Sequence, residues 1–456
     1  MTQSPTDTHN TSPGFSSSTR YPSAQQDSLF HQLVTAHSSV LSPFLYSSAE
    51  TSAWPAVILD GGGGSYLAPH IPQSPPSPLW SAHCLLSDTG RTAIRSLHRT
   101  YLDAGADIIT AVSYQAWQAG FQRVAGCSEV EAEALMRASV ELAVGVRDEW
   151  WDEAGSTHHA GRQRPLVAAS IGCYGALMNG GQEYTGDYGG VTTAEVERVQ
   201  RRRIEAVCAV EGVDVLLLET MANMDEVRAL LASTLPDVCP HLPVIVSLSA
   251  TDASRMRDGT PLREAFDFIL QHTRTTGTQV DSESTDGATD GQCSIVAFGV
   301  NCCAAQYGRD IMQLAKSAVL EHYQSLHTQS PTTTSALSDP SLPLPTFYPN
   351  SGEQYDAESG TFYGERQLQC EGGGVELTAL VVGWYEAGAR VLGGCCRTDE
   401  RYIRHVRDVI INRQQQDAAD GTGTHTHSAL GRHSAESAQR LQQSSVFSVG
   451  HTDCIR

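Results

Sequence analysis

The sequence predicts an α/β fold, a (β/α)8 TIM barrel, on three observations. Eight short apolar runs recur along the chain, amphipathic stretches separate them, and three of those stretches end in glycine just ahead of the next run. Continuous apolar runs without alternation suit parallel strands buried on both faces. A doubly wound open sheet is the competing arrangement; eight repeats favour the closed barrel.

In chain order, run one is AVILD at 56–60, which ends in Asp60 and passes into four glycines. The stretch 92–105 puts Ile94, Leu97, Tyr101 and Leu102 on one stripe and closes at Gly105, a helix with a glycine beyond its C-terminus. Run two is DIITA at 107–111, followed by a helical pattern over 131–150. Run three, LVAAS at 166–170, leads into a polar, tyrosine-bearing tract over 170–190 and then a helix over 194–212 that closes at Gly212. Run four, DVLLLE at 214–219, delivers Glu219; run five is VIVSL at 244–248. Run six, IVAFGV at 295–300, is followed by Asn301, Cys302 and Cys303. Run seven, PTFYP at 345–349, opens a second tract of tyrosines and carboxylates over 348–364. A last helix over 376–389, with Gly388 near its end, precedes run eight, RVLGG at 390–394, and the pair Cys395–Cys396.

The barrel is expected over 29–412. Residues 1–28 and 413–456 are rich in Ser, Thr, Gln and other polar residues and lack the apolar content to offset chain entropy, so they are expected to be disordered. Two polar insertions, about 275–292 and 327–341, lack periodicity and read as surface loops. The chain of 456 residues carries 30 Lys and Arg against 51 Asp and Glu, a net charge of −21, and Lys316 is its one lysine. Such an acidic surface argues against nucleic acid and against an anionic membrane. No apolar run approaches the roughly 20 residues of a membrane span. The N-terminus shows no secretory pattern, and Arg20 is the one Lys or Arg in the first 30 residues, too few for a transit peptide. A reducing, cytoplasmic setting is expected, in which the 12 cysteines serve metal binding or catalysis rather than disulfides.

In a barrel the chemistry gathers at the C-terminal ends of the strands. Cys302 lies at the end of run six and Cys395 and Cys396 at the end of run eight, and strands two apart can converge on the axis. Three thiolates suit Zn2+ and leave one position open for substrate. Buried cysteines filling small core sites are the alternative. Neighbours on an extended chain point opposite ways, so Cys303 is left out; Cys395 and Cys396 can reach one ion together where the flanking glycines curl the chain. Glu219 at the end of an apolar strand is costly unless paired or used, and a salt-bridged structural role is its alternative. The glycines after Asp60 do not form a dinucleotide-binding fingerprint and read as a site of close ligand approach or a flexible turn. Rings and carboxylates in the tracts 170–190 and 348–364 are able to hold a cation, or else pack on the rim of the barrel.

The segments DGG (60–62), LWSAHCLL (79–86), SYQA (113–116), QEYTGDY (182–188), LLLET (216–220), GVNC (299–302), YPNSGEQYD (348–356) and GGCCRT (393–398) follow one another in this order. In this the chain resembles the homocysteine S-methyltransferases over about residues 56–410, most closely the branch that uses S-methylmethionine or S-adenosylmethionine. The resemblance implies a zinc-dependent barrel in which Cys302, Cys395 and Cys396 bind zinc and Asp60 and Glu219 meet the amino group of L-homocysteine. It implies methyl transfer from a sulfonium donor to the homocysteine sulfur, giving methionine. The sulfonium is then expected to see rings, and the amino-acid end of the donor to see charged groups. The GGGGSY that follows Asp60 departs from the family pattern and implies a looser loop there. The alternatives are a betaine-type homocysteine methyltransferase, a non-catalytic zinc- or homocysteine-binding barrel, a zinc hydrolase, for which no HExxH ligand pattern is present and the one HxH, His425–His427, lies in the expected C-terminal tail, and a redox protein using the cysteine pairs.

Overall fold

A computed structural model describes residues 24–45, 55–72, 77–153, 162–274, 293–328, 342–356, 361–363, 368 and 375–419. Its centre is a parallel sheet of β1 (Val57–Ile58), β2 (Ile108–Thr110), β3 (Leu166–Gly172), β4 (Val215–Met221), β5 (Val244–Ser249), β6 (Ile295–Asn301), β7 (Leu344–Tyr348) and, after a small antiparallel pair β8 (Gln354–Asp356) and β9 (Thr361–Tyr363), β10 (Val391–Leu392). The order around the sheet is β1-β10-β7-β6-β5-β4-β3-β2. A parallel bridge between Leu59 and Ile108 joins the two ends. The sheet is therefore a barrel, and the open-sheet alternative falls. Each predicted run overlaps one strand, because strands buried on both faces leave no polar position to interrupt them.

Helices alternate with the strands: α2 (Asp88–Ala104), α3 (Glu129–Glu153), α4 (Thr193–Cys208), α5 (Met224–Ala229, continuing through a π-turn at Leu230–Thr234 into Leu235–Val238), α6 (Leu262–Gln271), α7 (Gly308–Thr328), α8 (Val375–Ala387) and α9 (Glu400–Ala419). Ser87, Thr192 and Asn223 cap α2, α4 and α5 by accepting from the N–H groups of Gly90, Glu195 and Glu226. The predicted terminal glycines Gly105, Gly212 and Gly388 take φ of 101°, 87° and 128°, a region open to glycine and costly for other residues. Closure between β1 and β2 is secured at the barrel bottom. The Asp107 carboxylate accepts from the Ile58 N–H at 3.0 Å and from Arg407 of α9 at 2.9 Å.

Two boundaries differ from expectation. A helix α1 (Ala24–Thr35) begins inside the expected N-terminal tail. Asp27 pairs with Lys316 at 2.5 Å, and the Phe30 ring lies 5.0 Å from the Lys316 ammonium and 5.2 Å from the Arg390 guanidinium. His37 then bonds the Leu342 carbonyl, at the entry to β7. Only residues 24–28 of this helix fall in that tail; Leu29, Phe30, Leu33 and Val34, within the expected folded part, give one short apolar stripe that packs on the core. At the other end α9 runs to Ala419, past the expected boundary at 412. Residues 1–23, 420–456 and the insertion 275–292 lie outside the described residues, as does 329–341, most of the other insertion. Among the described residues, no helix is long and apolar enough to cross a membrane.

Candidate active site

Three sulfurs meet at the mouth of the barrel. Cys302 directly follows β6 and takes φ 52°, with its N–H on the Tyr348 carbonyl of β7. Cys395 and Cys396 lie beyond β10 in a turn closed by the Thr398 N–H and hydroxyl, both donating to the Cys395 carbonyl at 3.1 and 2.8 Å. Arg397 supplies the left-handed residue of that turn at φ 65°. The chain is thus curled by this turn and not by left-handed glycines. Gly394 matters for another reason: a Cβ there would lie 2.1 Å from Thr398 Oγ1 and block the turn.

The Cys302 and Cys396 sulfurs are 3.7 Å apart, those of Cys395 and Cys396 4.0 Å, and all three lie within 4.8 Å of one another. Ligands about 2.3 Å from a tetrahedral zinc stand about 3.8 Å apart, so the donor set fits such an ion. The Cys302 thiol is held well below the usual range by hydrogen bonds from Cys395 and Cys396, with help from Arg257; the same sharing pushes Cys395 and Cys396 up. Cys303, buried and pushed up to about 12 by burial, stays outside the group.

Thr220, at the end of β4, is also left-handed, at φ 57°. A β-branched residue is an outlier there, at a cost of about 1–3 kcal/mol. Asn301 compensates. Its Oδ1 accepts from the Thr220 N–H at 2.9 Å and the Ser247 hydroxyl at 2.8 Å, and its Nδ2 donates to Thr220 Oγ1 at 2.8 Å and reaches the Cys395 sulfur at 3.5 Å. One buried amide thereby fixes the end of β4 and orients a thiol from the far side of β6.

Asp60 and Glu219 both line the cavity above the sulfurs. Asp60 accepts from the Thr110 N–H and hydroxyl, each at 2.7 Å, and burial still pushes its carboxyl up to about 7. Glu219 accepts from the Ser170 hydroxyl, and burial pushes it up to about 8. Both carboxylates are therefore short of positive charge, the condition in which an incoming cation binds well. The glycine loop is packed, contrary to the looser loop expected. Added Cβ atoms at Gly61, Gly62 and Gly64 would lie within 2.8 Å of the Tyr101 hydroxyl, the Cys395 carbonyl and the Trp80 indole.

The cavity opens to solvent at the barrel mouth. Trp80, Tyr114, Tyr184 and Tyr348 supply its rings. The tract 170–190 divides: Glu183 and Tyr184 face the cavity, whereas Tyr188 donates to buried Glu226 at 2.6 Å and anchors the loop. From 348–364, Tyr348 lines the cavity and Glu353 pairs with Arg397 at 2.9 Å; most of the rest lies outside the described side chains. Trp80, Tyr114 and Asn301 had no role assigned from sequence. The available signal was position, since Tyr114 and Asn301 fall at or just after strand ends.

The family model described as homocysteine S-methyltransferase matches residues 57–410. The chain is 33% identical over 346 residues to homocysteine S-methyltransferase 2 of Arabidopsis thaliana, covering 74% of this chain and 88% of that protein. It is 32% identical to a selenocysteine Se-methyltransferase of Brassica oleracea var. italica, covering 81% and 92%. Among solved structures, the metallated homocysteine methyltransferase MmuM of Escherichia coli is similar at a TM-score of 0.55 and 29% identity, covering 77% of this chain and 96% of that one. The matched span takes in every barrel strand and all three clustered cysteines, and the chain belongs to the homocysteine S-methyltransferase family.

Proposed function

We propose that the chain transfers a methyl group from a sulfonium donor, S-methylmethionine in preference to S-adenosylmethionine, to the sulfur of L-homocysteine, giving methionine, with zinc held by Cys302, Cys395 and Cys396. The observation that carries this reading is one cavity that holds three sulfurs at ligand spacing and two charge-starved carboxylates. When bound, zinc would hold the homocysteine sulfur as a thiolate at neutral pH, where a free thiol of pKa about 8.5 is mostly protonated.

The protein's own groups do the rest. Asp60 and Glu219, set by Thr110 and Ser170, bind the homocysteine ammonium and so aim its sulfur at the three cysteines. Asn301 keeps Cys395 oriented. Trp80, Tyr114 and Tyr184 line the cavity with rings, which attract a sulfonium without caging it. That balance matters because the positive charge disappears as the methyl moves, and strong ground-state pairing would raise the barrel's own barrier to transfer. Fixing both partners in one cavity supplies the in-line approach. A reducing cytoplasm is the matching compartment, since free thiols are required.

The test is methionine formation from homocysteine with S-methylmethionine and S-adenosylmethionine in parallel, before and after chelation, with metal analysis of the same samples. Methionine from neither donor, or full activity in metal-free protein, would overturn the reading.

A further inference from the structure

Resting on that reading, the cavity wall points to how the donor is recognised. Among the described residues it contains three carboxylates, and two have partners: Asp60 on Thr110 and Glu219 on Ser170. Glu183 differs. Its Oε2 is buried and meets no donor among the described residues. Burial raises its carboxyl, opposed only by its own backbone N–H. A buried carboxylate in this state is costly unless a ligand supplies the counter-charge.

The backbone that carries it is held in place. The turn Gln182–Tyr184 is closed by Tyr184 N–H on the Gly181 carbonyl at 2.9 Å and Gly186 N–H on the Gln182 carbonyl at 2.8 Å. Asn223, beyond β4, donates to the Gly186 carbonyl at 3.0 Å. The Glu183 backbone N packs where a Cβ on Gly175 would come within 2.9 Å. Such a turn presents Glu183 to the cavity at little further ordering cost.

Homocysteine brings one ammonium, which Asp60 and Glu219 meet from β1 and β4. A sulfonium amino acid brings a second ammonium and a sulfonium. The sulfonium loses its charge on methyl transfer, so an anion against it would favour the ground state. The ammonium keeps its charge throughout, so pairing it raises affinity without penalising transfer. We propose that Glu183 is a specificity-determining residue that binds the α-ammonium of the methyl donor and so selects amino-acid sulfoniums over sulfoniums without an amino group.

The experiment measures calorimetric binding of S-methyl-L-methionine and of 3-dimethylsulfoniopropionate, which keeps the dimethylsulfonium and a carboxylate, one carbon nearer to it, but lacks the ammonium. It uses the zinc-loaded full chain and its Glu183→Gln variant. The expected result is a loss of about 30-fold or more for S-methylmethionine, the scale of a desolvated charge pair, and a change within about 3-fold for dimethylsulfoniopropionate, the scale of an exposed pair. Equal losses for both compounds would place the carboxylate on the sulfonium or in the scaffold; no loss for either would remove Glu183 from donor recognition. Each overturns the proposal. Glu183→Asp, which keeps the charge at shorter reach, supplies the same comparison if the Gln variant does not fold, and should retain part of the selectivity. Binding is read without turnover. Selective binding without methionine formation would sustain the role of Glu183 while overturning methyl transfer to homocysteine.

Discussion

Replacing Asn301 with alanine should destabilise the protein and loosen its metal site together. The amide makes three hydrogen bonds of 2.8–2.9 Å, to the Thr220 N–H, the Thr220 hydroxyl and the Ser247 hydroxyl, and all of these groups are buried. At about 1 kcal/mol net each, their loss is about 3 kcal/mol. The Thr220 N–H is then left unpaired in a left-handed residue, which adds about 1–2 kcal/mol. A total of about 4–5 kcal/mol is therefore expected, large for one polar truncation. Urea unfolding of metal-free, reduced protein measures it without interference from metal binding. The contact to the Cys395 sulfur predicts a second effect: zinc affinity, read by competition with a chromophoric chelator, should fall about 10–100-fold. A stability loss under about 1 kcal/mol, with unchanged zinc affinity, would show that Thr220 holds its conformation without the amide and would refute the reasoning.

Wild-type protein should hold about one zinc per chain, the ratio expected of a single three-thiolate site; a Cys395→Ser, Cys396→Ser double variant that retained its zinc by metal analysis would remove those ligands from the assignment. Glu219→Gln should raise the homocysteine KM by the equivalent of about 2–5 kcal/mol, with zinc content unchanged and the donor KM moving much less; loss of zinc instead would assign the carboxylate to the metal. His98 is buried with both ring nitrogens unpaired among the described residues, and burial lowers its pKa to about 4. Its unfolded form takes up a proton first as pH falls, so its contribution to stability is complete above about 6.5 and declines toward pH 4. His98→Leu should flatten that acid limb in denaturation curves and raise stability near neutrality; an unchanged pH dependence would assign the limb to other groups. Removal of residues 1–23 and 420–456 should leave methyl transfer intact, whereas removal through residue 45 should lower the unfolding temperature by stripping Asp27 and Phe30 from Lys316 and Arg390.

What could be read in the sequence was whatever depends on one residue's chemistry and its place on a strand. The eight strands were visible because both faces of each are apolar. That three cysteines stand together was half visible: strand-end position alone left buried core cysteines as an equal reading, and the family resemblance singled them out. Gly105, Gly212 and Gly388 marked helix ends because only glycine takes those φ values cheaply. The remainder depends on contacts between distant segments. That adjacent Cys395 and Cys396 can face one ion follows from a turn whose left-handed member is an arginine, a residue with no preference for it. The four glycines after Asp60 suggested slack, yet three are required by Tyr101, Cys395 and Trp80, which arrive from elsewhere in the chain. The hold of Asn301 on Thr220 spans 81 positions and leaves no local pattern. The helix α1 is too weakly amphipathic to stand out and exists because the barrel floor offers Lys316 and Arg390 to its Phe30.

The sole lysine of the sequence is the one seated beneath α1, where it is 5% exposed. Reagents that acylate amines therefore find a single side-chain target, and it is shielded for as long as that helix is docked. The rate at which Lys316 is acylated consequently clocks the lifting of α1, with no label engineered into the chain. For the same reason, resins and dyes that couple through lysine have no purchase on the mouth of the barrel, and heavily derivatised preparations will report molecules whose floor has opened.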